Sequence, residues 1–126
     1  MSKIVVVNDE PNILEIVQSL LQEEGHSVRA LAHGTEALAA ISAEPADLLI
    51  TDGSNHPMTG VELVRRLRHV SDVPVVFLCA WAQELREELR GTELEAQDYI
   101  ELPFSGAELV KRVRAVLERA LHLRIT

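Results

Sequence analysis

The sequence predicts an α/β domain: a five-stranded, doubly wound parallel sheet with helices on both faces. Short apolar runs alternate five times with longer amphipathic stretches along 126 residues, and such alternation builds a parallel sheet through right-handed crossovers. The first run, Ile4-Val5-Val6-Val7, is β-branched and unbroken, as a strand covered on both faces requires. No low-complexity stretch or linker interrupts the alternation, so residues 1–126 are expected to form one domain.

The elements follow in order. Pro11 to Glu24 places Ile13, Val17, Leu20 and Leu21 at helical spacing, with Pro11 suited to a first turn and Gly25 to a stop. Ser27 to Leu31 is a second strand, and Gly34 to Ser42 a helix carrying Ala37, Leu38 and Ile41. Asp47 to Thr51 is a third strand, aimed at Asp52; Gly60 to Val70 is a helix striped by Val61, Val64 and Leu67. Pro74 to Cys79 is the fourth strand, followed by a heavily charged helix from Trp81 to Gly91. Gln97 to Leu102 is the fifth. A last helix, Ser105 to Leu121, buries Leu109, Val113, Val116 and Ala120 behind a capping box of Ser105 and Glu108.

Composition narrows the function. Aromatic residues make up 3% and hydrophobic residues 47%, so the core is aliphatic. The formal net charge of −8 argues against nucleic acid or an anionic membrane as direct partner, because phosphate backbones demand a basic face. Cys79 is the single cysteine, which rules out an internal disulfide and fits a cytoplasmic location. No run of 18 apolar residues exists, and the N-terminus lacks the layout of a secretion signal.

Doubly wound sheets bind ligands beyond the carboxyl ends of their strands. There this chain carries Asp9 and Glu10 after the first strand and Asp52 after the third. First and third strands are central neighbours in such a sheet, so Asp9 and Asp52 should converge. Two carboxylates that close repel unless a cation lies between them, and a hard divalent ion such as Mg²⁺ suits oxygen donors; a hydrated acidic loop is the alternative. Asn8-Asp9-Glu10-Pro11-Asn12 would repel a flavin phosphate, and neither GxxxxGK[ST] nor GxGxxG occurs.

Five segments together carry a resemblance: Val5 to Asn12, Pro45 to Asp52, Met58-Thr59-Gly60, Pro74 to Leu78, and Asp98 to Ser105. In order and spacing they resemble the response-regulator receiver family of two-component signalling, over nearly the whole chain. The resemblance implies a flavodoxin-like topology with strand order 2-1-3-4-5. It also implies that Asp52 accepts a phosphoryl group from a histidine kinase or phosphotransfer protein. Mg²⁺ would be held by Asp9, Asp52 and the backbone carbonyl of Ser54, with Asn8 reaching it through water. The metal would neutralise charge between a carboxylate nucleophile and an anionic phosphoryl group. A cis Leu102–Pro103 bond is implied as well.

The chain also departs from the family pattern. Asn8 stands where a first acidic residue is usual, Cys79 where a Ser or Thr binds the phosphoryl oxygen, and Leu102 where a Lys pairs with it. A thiol is a weak donor, and a lost charge-assisted bond is worth roughly 1.5–3 kcal/mol. Losing Asp at 8 and Lys at 102 together leaves the pocket's charge balance unchanged, so Mg²⁺ binding should survive while phosphoryl stabilisation is impaired. His56 falls in the slot where Pro is usual, one residue before Pro57; a solvated loop residue is the expectation. Tyr99 aligns with the family's switch aromatic, with a core Tyr as the alternative reading. Trp81 lies on the rim, as a shield or as packing. His26, His33, His69 and His122 show no ligand spacing, and Cys79 reads as an inert buried thiol.

The expected output surface spans residues near Gln83 to Gly91, Gln97 to Glu101 and Leu109 to Leu121. An unidentified downstream protein would read it, and a homodimer through the last two helices is conceivable. The competing reading is a pseudo-receiver, an interaction module without phosphoryl chemistry. A hydrolase using Asp52 as covalent nucleophile would need an acid/base residue that the mouth does not offer.

Overall fold

A strand whose two faces are both buried must send alternate residues into two separate cores, and β1 (Lys3–Val7) does this: Val5 and Val7 join one apolar cluster, Ile4 and Val6 the other. The computed structural model describes residues 2–53 and 58–125. After β1 come α1 (Pro11–Glu23), β2 (Ser27–Leu31), α2 (Gly34–Ala43) and β3 (Leu48–Thr51). They are followed by α3 (Gly60–Leu67), β4 (Val75–Cys79), α4 (Ala82–Leu89), β5 (Asp98–Glu101) and α5 (Gly106–Ile125). The strands lie in the order β2-β1-β3-β4-β5, all parallel. The expected fold class and strand order are therefore observed.

Helices α2, α3 and α4 cover one face, where Ala37, Ile41, Leu63, Val64, Leu67, Leu85 and Leu89 pack on Leu49, Phe77 and Tyr99. Helices α1 and α5 cover the other, where Val17, Leu21, Leu109, Val113 and Val116 pack on Ile50, Val76, Leu78 and Ile100. The outer strand β2 is less buried than the central three, which follows from its single neighbour.

Boundaries differ from the sequence expectation in a few places, each with a local cause. α1 stops before Gly25, whose φ of +90° lies in the left-handed region that favours glycine. α3 ends at Leu67 rather than Val70, because the chain tightens there: the His69 N–H donates to the Arg66 carbonyl and the Val70 N–H to that of Leu67. α4 begins at Ala82, with Trp81 as its N-cap, and ends before Gly91, which has φ +76°. Leu63, outside the expected stripe, is fully buried alongside Val64 and Leu67, while Val61 is only half-buried. α5 runs to Ile125 instead of Leu121. The Ser105 hydroxyl accepts the Glu108 N–H at 3.0 Å, as its N-terminal pattern implied, and the Leu102–Pro103 bond is cis.

Leu109 has no solvent exposure and anchors α5 on the sheet. Leu109→Ala should cost about 3 kcal/mol, read as a fall in the urea unfolding midpoint with unchanged m-value.

Candidate functional site

The site begins with the pairing of β1 and β3. Val7 lies opposite Thr51, and the Asp52 N–H donates to the Val7 carbonyl at 3.3 Å. Asn8 and Asp52 therefore leave the sheet side by side at its carboxyl end, and Asp9 follows at the same mouth. On the other flank the Asn8 N–H donates to the Leu31 carbonyl of β2 at 3.1 Å. Asn8 is only 2% exposed, and its Oδ1 accepts the Glu10 N–H at 2.8 Å. That turn orients the loop so that Asp9 and Glu10 are exposed and Pro11 opens α1. The expected role of Asn8 toward a metal-bound water is thus joined by a structural one that the sequence did not reveal.

Asp52 is half-buried. Its main-chain carbonyl accepts the Thr51 hydroxyl at 3.1 Å and presses against α3: a Cβ on Gly60 would lie 1.9 Å from that oxygen. Gly60 is therefore required by close backbone approach, a reason invisible in Met58-Thr59-Gly60 read as a motif. Thr59 caps the same helix, its hydroxyl accepting the Glu62 N–H at 3.1 Å. Ser54, His56 and Pro57, on which expectations were placed, lie outside the described residues.

Cys79 ends β4, buried, and a Cβ on Gly53 would sit 3.6 Å from its Sγ, so the thiol borders the loop that carries Asp52. Burial pushes the thiol above its ordinary value; the Trp81 and Gly53 N–H groups pull it partly back, while Asp52 and Glu101 push it up. It is held as a neutral, weakly donating group. Leu102 follows β5, its N–H donating to the Cys79 carbonyl at 3.1 Å, and its half-buried side chain joins the cluster under α1 and α5. Trp81 is 59% exposed, which removes the packing reading for it. His33, His69 and His122 are exposed as expected, whereas His26 is half-buried and its Nδ1 accepts the Ser2 N–H at 3.3 Å.

Tyr99 is buried. Its ring stacks on Phe77 at 5.7 Å between centroids, the Arg86 guanidinium lies 5.0 Å over it, and its hydroxyl accepts the Ala96 N–H at 2.8 Å. Beside it Asp98 holds three elements together. It takes Arg112 of α5 bidentately, at 2.9 and 2.7 Å, and Arg86 of α4 at 3.4 Å. Nothing in the spacing of Arg86, Asp98 and Arg112 along the chain announced this cluster, because each comes from a different element.

Among the described residues no group of three or more His, Cys, Asp and Glu side chains gathers into a metal cluster. The donor set expected here is smaller: two carboxylates, Asp9 and Asp52, with a carbonyl and water completing it. An all-oxygen set open to solvent on one side fits a hard, hydrated ion such as Mg²⁺. No described helix is long and apolar enough to cross a membrane.

The model of the response regulator receiver domain matches residues 4–114. The chain is 38% identical over 117 residues to the regulatory protein VanRc of Enterococcus gallinarum, covering 93% of this chain and 50% of that protein. It is 39% identical over 119 residues to the transcriptional regulatory protein CseB of Streptomyces avermitilis, covering 94% and 50%. It thus spans about half the length of these curated relatives. Among solved structures, the Vibrio cholerae chemotaxis protein CheY4 superposes with a TM-score of 0.83 at 29% identity, over 92% of this chain and 98% of that one. A receiver domain protein from Clostridium thermocellum shares the fold with a TM-score of 0.85 at 22% identity, over 98% and 99%.

Two outcomes follow from this geometry. Gly60→Ala should force α3 away from Asp52 and cost about 2–3 kcal/mol, measured by urea unfolding. The raised Cys79 thiol stabilises the fold fully below its ordinary value near 9 and loses that contribution as pH climbs through the higher folded value. The unfolding midpoint should therefore fall above pH 9, and less steeply in Cys79→Ala.

Proposed function

Because the chain belongs to the response regulator receiver family, we propose that it accepts a phosphoryl group on Asp52 from a histidine kinase or phosphotransfer protein. The observation that carries this reading is the shared mouth: Asp9 and Asp52 issue from the same end of neighbouring parallel strands. Mg²⁺ bound there would neutralise the repulsion between the Asp52 carboxylate and an incoming phosphoryl group. Asp52 supplies the attacking oxygen. Its O–P bond forms as the P–N bond of a phosphoimidazole breaks. The electron pair stays on the imidazole, which leaves neutral because its other ring nitrogen already carries a proton. Asp9 would hold the metal, together with the Ser54 carbonyl that the family resemblance implies, and Asn8 sets the loop that carries Asp9. Gly60 keeps the Asp52 main chain seated.

Stabilisation of the product is impaired. Cys79 donates weakly and Leu102 not at all, so the acyl phosphate lacks about 1.5–3 kcal/mol of charge-assisted bonding. The signal leaves through α4, β5 and α5, the elements joined at Asp98, toward a downstream protein or a second copy.

A second reading, the phosphorylation-independent pseudo-receiver, draws support from Tyr99. Its ring and hydroxyl are held by Phe77, Arg86 and Ala96 without any contribution from Cys79. Beryllofluoride with Mg²⁺ separates the two. Phosphoacceptance predicts a saturable change in Trp81 fluorescence that Asp52→Ala or removal of Mg²⁺ abolishes. A flat trace, with no phosphoryl mass added by acetyl phosphate, favours the pseudo-receiver.

A further inference from the structure

Asp52 is followed directly by a glycine, and nothing in the fold asks for one there. Gly25 and Gly91 hold a positive φ, and Gly60 a backbone approach that a Cβ would block; Gly53 has neither reason. A Cβ on Gly53 would meet Leu85 Cδ2 at 3.4 Å and Cys79 Sγ at 3.6 Å, ordinary contact distances. What the missing Cβ does leave open is the Gly53 main-chain nitrogen, which a side chain on the same residue would crowd. That nitrogen and the side-chain carbonyl carbon of Asp52 are the two atoms whose joining closes a succinimide ring.

The main chain at this junction is fixed. The Asp52 N–H donates to the Val7 carbonyl at 3.3 Å, and the Asp52 carbonyl accepts the Thr51 hydroxyl at 3.1 Å against Gly60. The peptide bond is trans, so the next N–H points away from that carbonyl, and the Gly53 N–H accordingly turns to Cys79. The nitrogen is thereby held on the side of the mouth away from α3. Nucleophile and acceptor are neighbours in the chain and need no partner to bring them together.

We propose that Asp52–Gly53 is a self-modification site: once Asp52 is phosphorylated, the Gly53 nitrogen attacks its side-chain carbonyl and closes a succinimide. The inference rests on phosphoacceptance at Asp52 and adds a second fate for the acyl phosphate. The bond from the Gly53 nitrogen to Cγ forms as the Cγ–O bond to phosphate breaks. Inorganic phosphate leaves with the electron pair and takes up the amide proton. Phosphate leaves more readily than hydroxide, so the phosphorylated side chain closes faster than the free carboxyl group. Water then opens the imide. Addition at Cγ restores aspartate. Addition at the main-chain carbonyl leaves isoaspartate, in which the chain runs through the side chain and the carboxylate is displaced by one methylene. Each round of phosphorylation thus retires a fraction of the molecules.

The test follows the domain by intact mass during treatment with acetyl phosphate and Mg²⁺, and counts isoaspartate with a protein isoaspartyl methyltransferase. The wild type should gain the phosphoryl mass, then yield a species one water lighter than the starting chain, then isoaspartate at residue 52. Imide is counted per phosphorylated molecule, so the rate of phosphorylation does not enter. In Gly53→Ala it should form about tenfold more slowly, a barrier about 1.4 kcal/mol higher. Asp52→Ala should show none of these species. Asp52→Asn reads the backbone geometry without phosphorylation, because its amide closes the same ring with loss of ammonia; it should deamidate in the folded protein. Phosphate uptake by the wild type with neither imide nor isoaspartate overturns the proposal and leaves phosphoacceptance intact. Equal imide formation in wild type and Gly53→Ala overturns it as well. So does an Asp52→Asn amide that persists in the folded domain and is lost only in urea, since any imide from the wild type then arises after unfolding. Absence of phosphate uptake in both the wild type and Gly53→Ala removes phosphoacceptance itself, and this inference with it.

Discussion

The structure depends on one pairing, the parallel register of β1 with β3. It places Val7 opposite Thr51, so both chains leave the sheet together and Asn8 meets Asp52 at its edge. It also sends alternate residues of the central strands into two cores, each closed by its own helices. A slip of one residue would exchange the two faces and turn the mouth's loops inward. Burial on both sides therefore fixes the register and, with it, the chemistry that the mouth can host.

Most of the fold was legible because the signals were periodic or steric. The β-branched run Ile4 to Val7, the stripe Val17, Leu21 on α1 and the stop at Gly25 each act through local physics that a sequence displays. α3 was less legible: Val61, Val64 and Leu67 suggested a narrow stripe, but packing between α2 and the sheet also buries Leu63. The end of α5 was missed because its last turns have no core beneath them, so no apolar pattern needed to mark them.

The candidate site was legible in its charges and not in its backbone. Asp9 and Asp52 stood out as acidic strand ends. The close approach of Gly60 to the Asp52 carbonyl, the Asn8 turn onto Glu10 and the Arg86–Asp98–Arg112 cluster all join residues distant in sequence or depend on exact main-chain position. Such contacts carry no period. The cluster links α4, β5 and α5 through a carboxylate that is itself largely shielded, so it is stiffer than an exposed ion pair, which contributes little by comparison.

α5 outlasts the sheet it lies on. Its 20 residues extend about 30 Å at the rise of an α-helix, whereas a strand of five residues covers about 17 Å. Its stripe of Leu109, Val113, Val116 and Ala120 continues to Leu123, which is 75% exposed. A helix clamped at one end and overhanging at the other behaves as a lever. A pivot of ten degrees or so where Arg112 grips Asp98 would swing the helix end, 13 residues or about 20 Å further on, by about 3 Å. Sub-ångström adjustments near the mouth would be magnified into displacements large enough for a neighbouring surface to register.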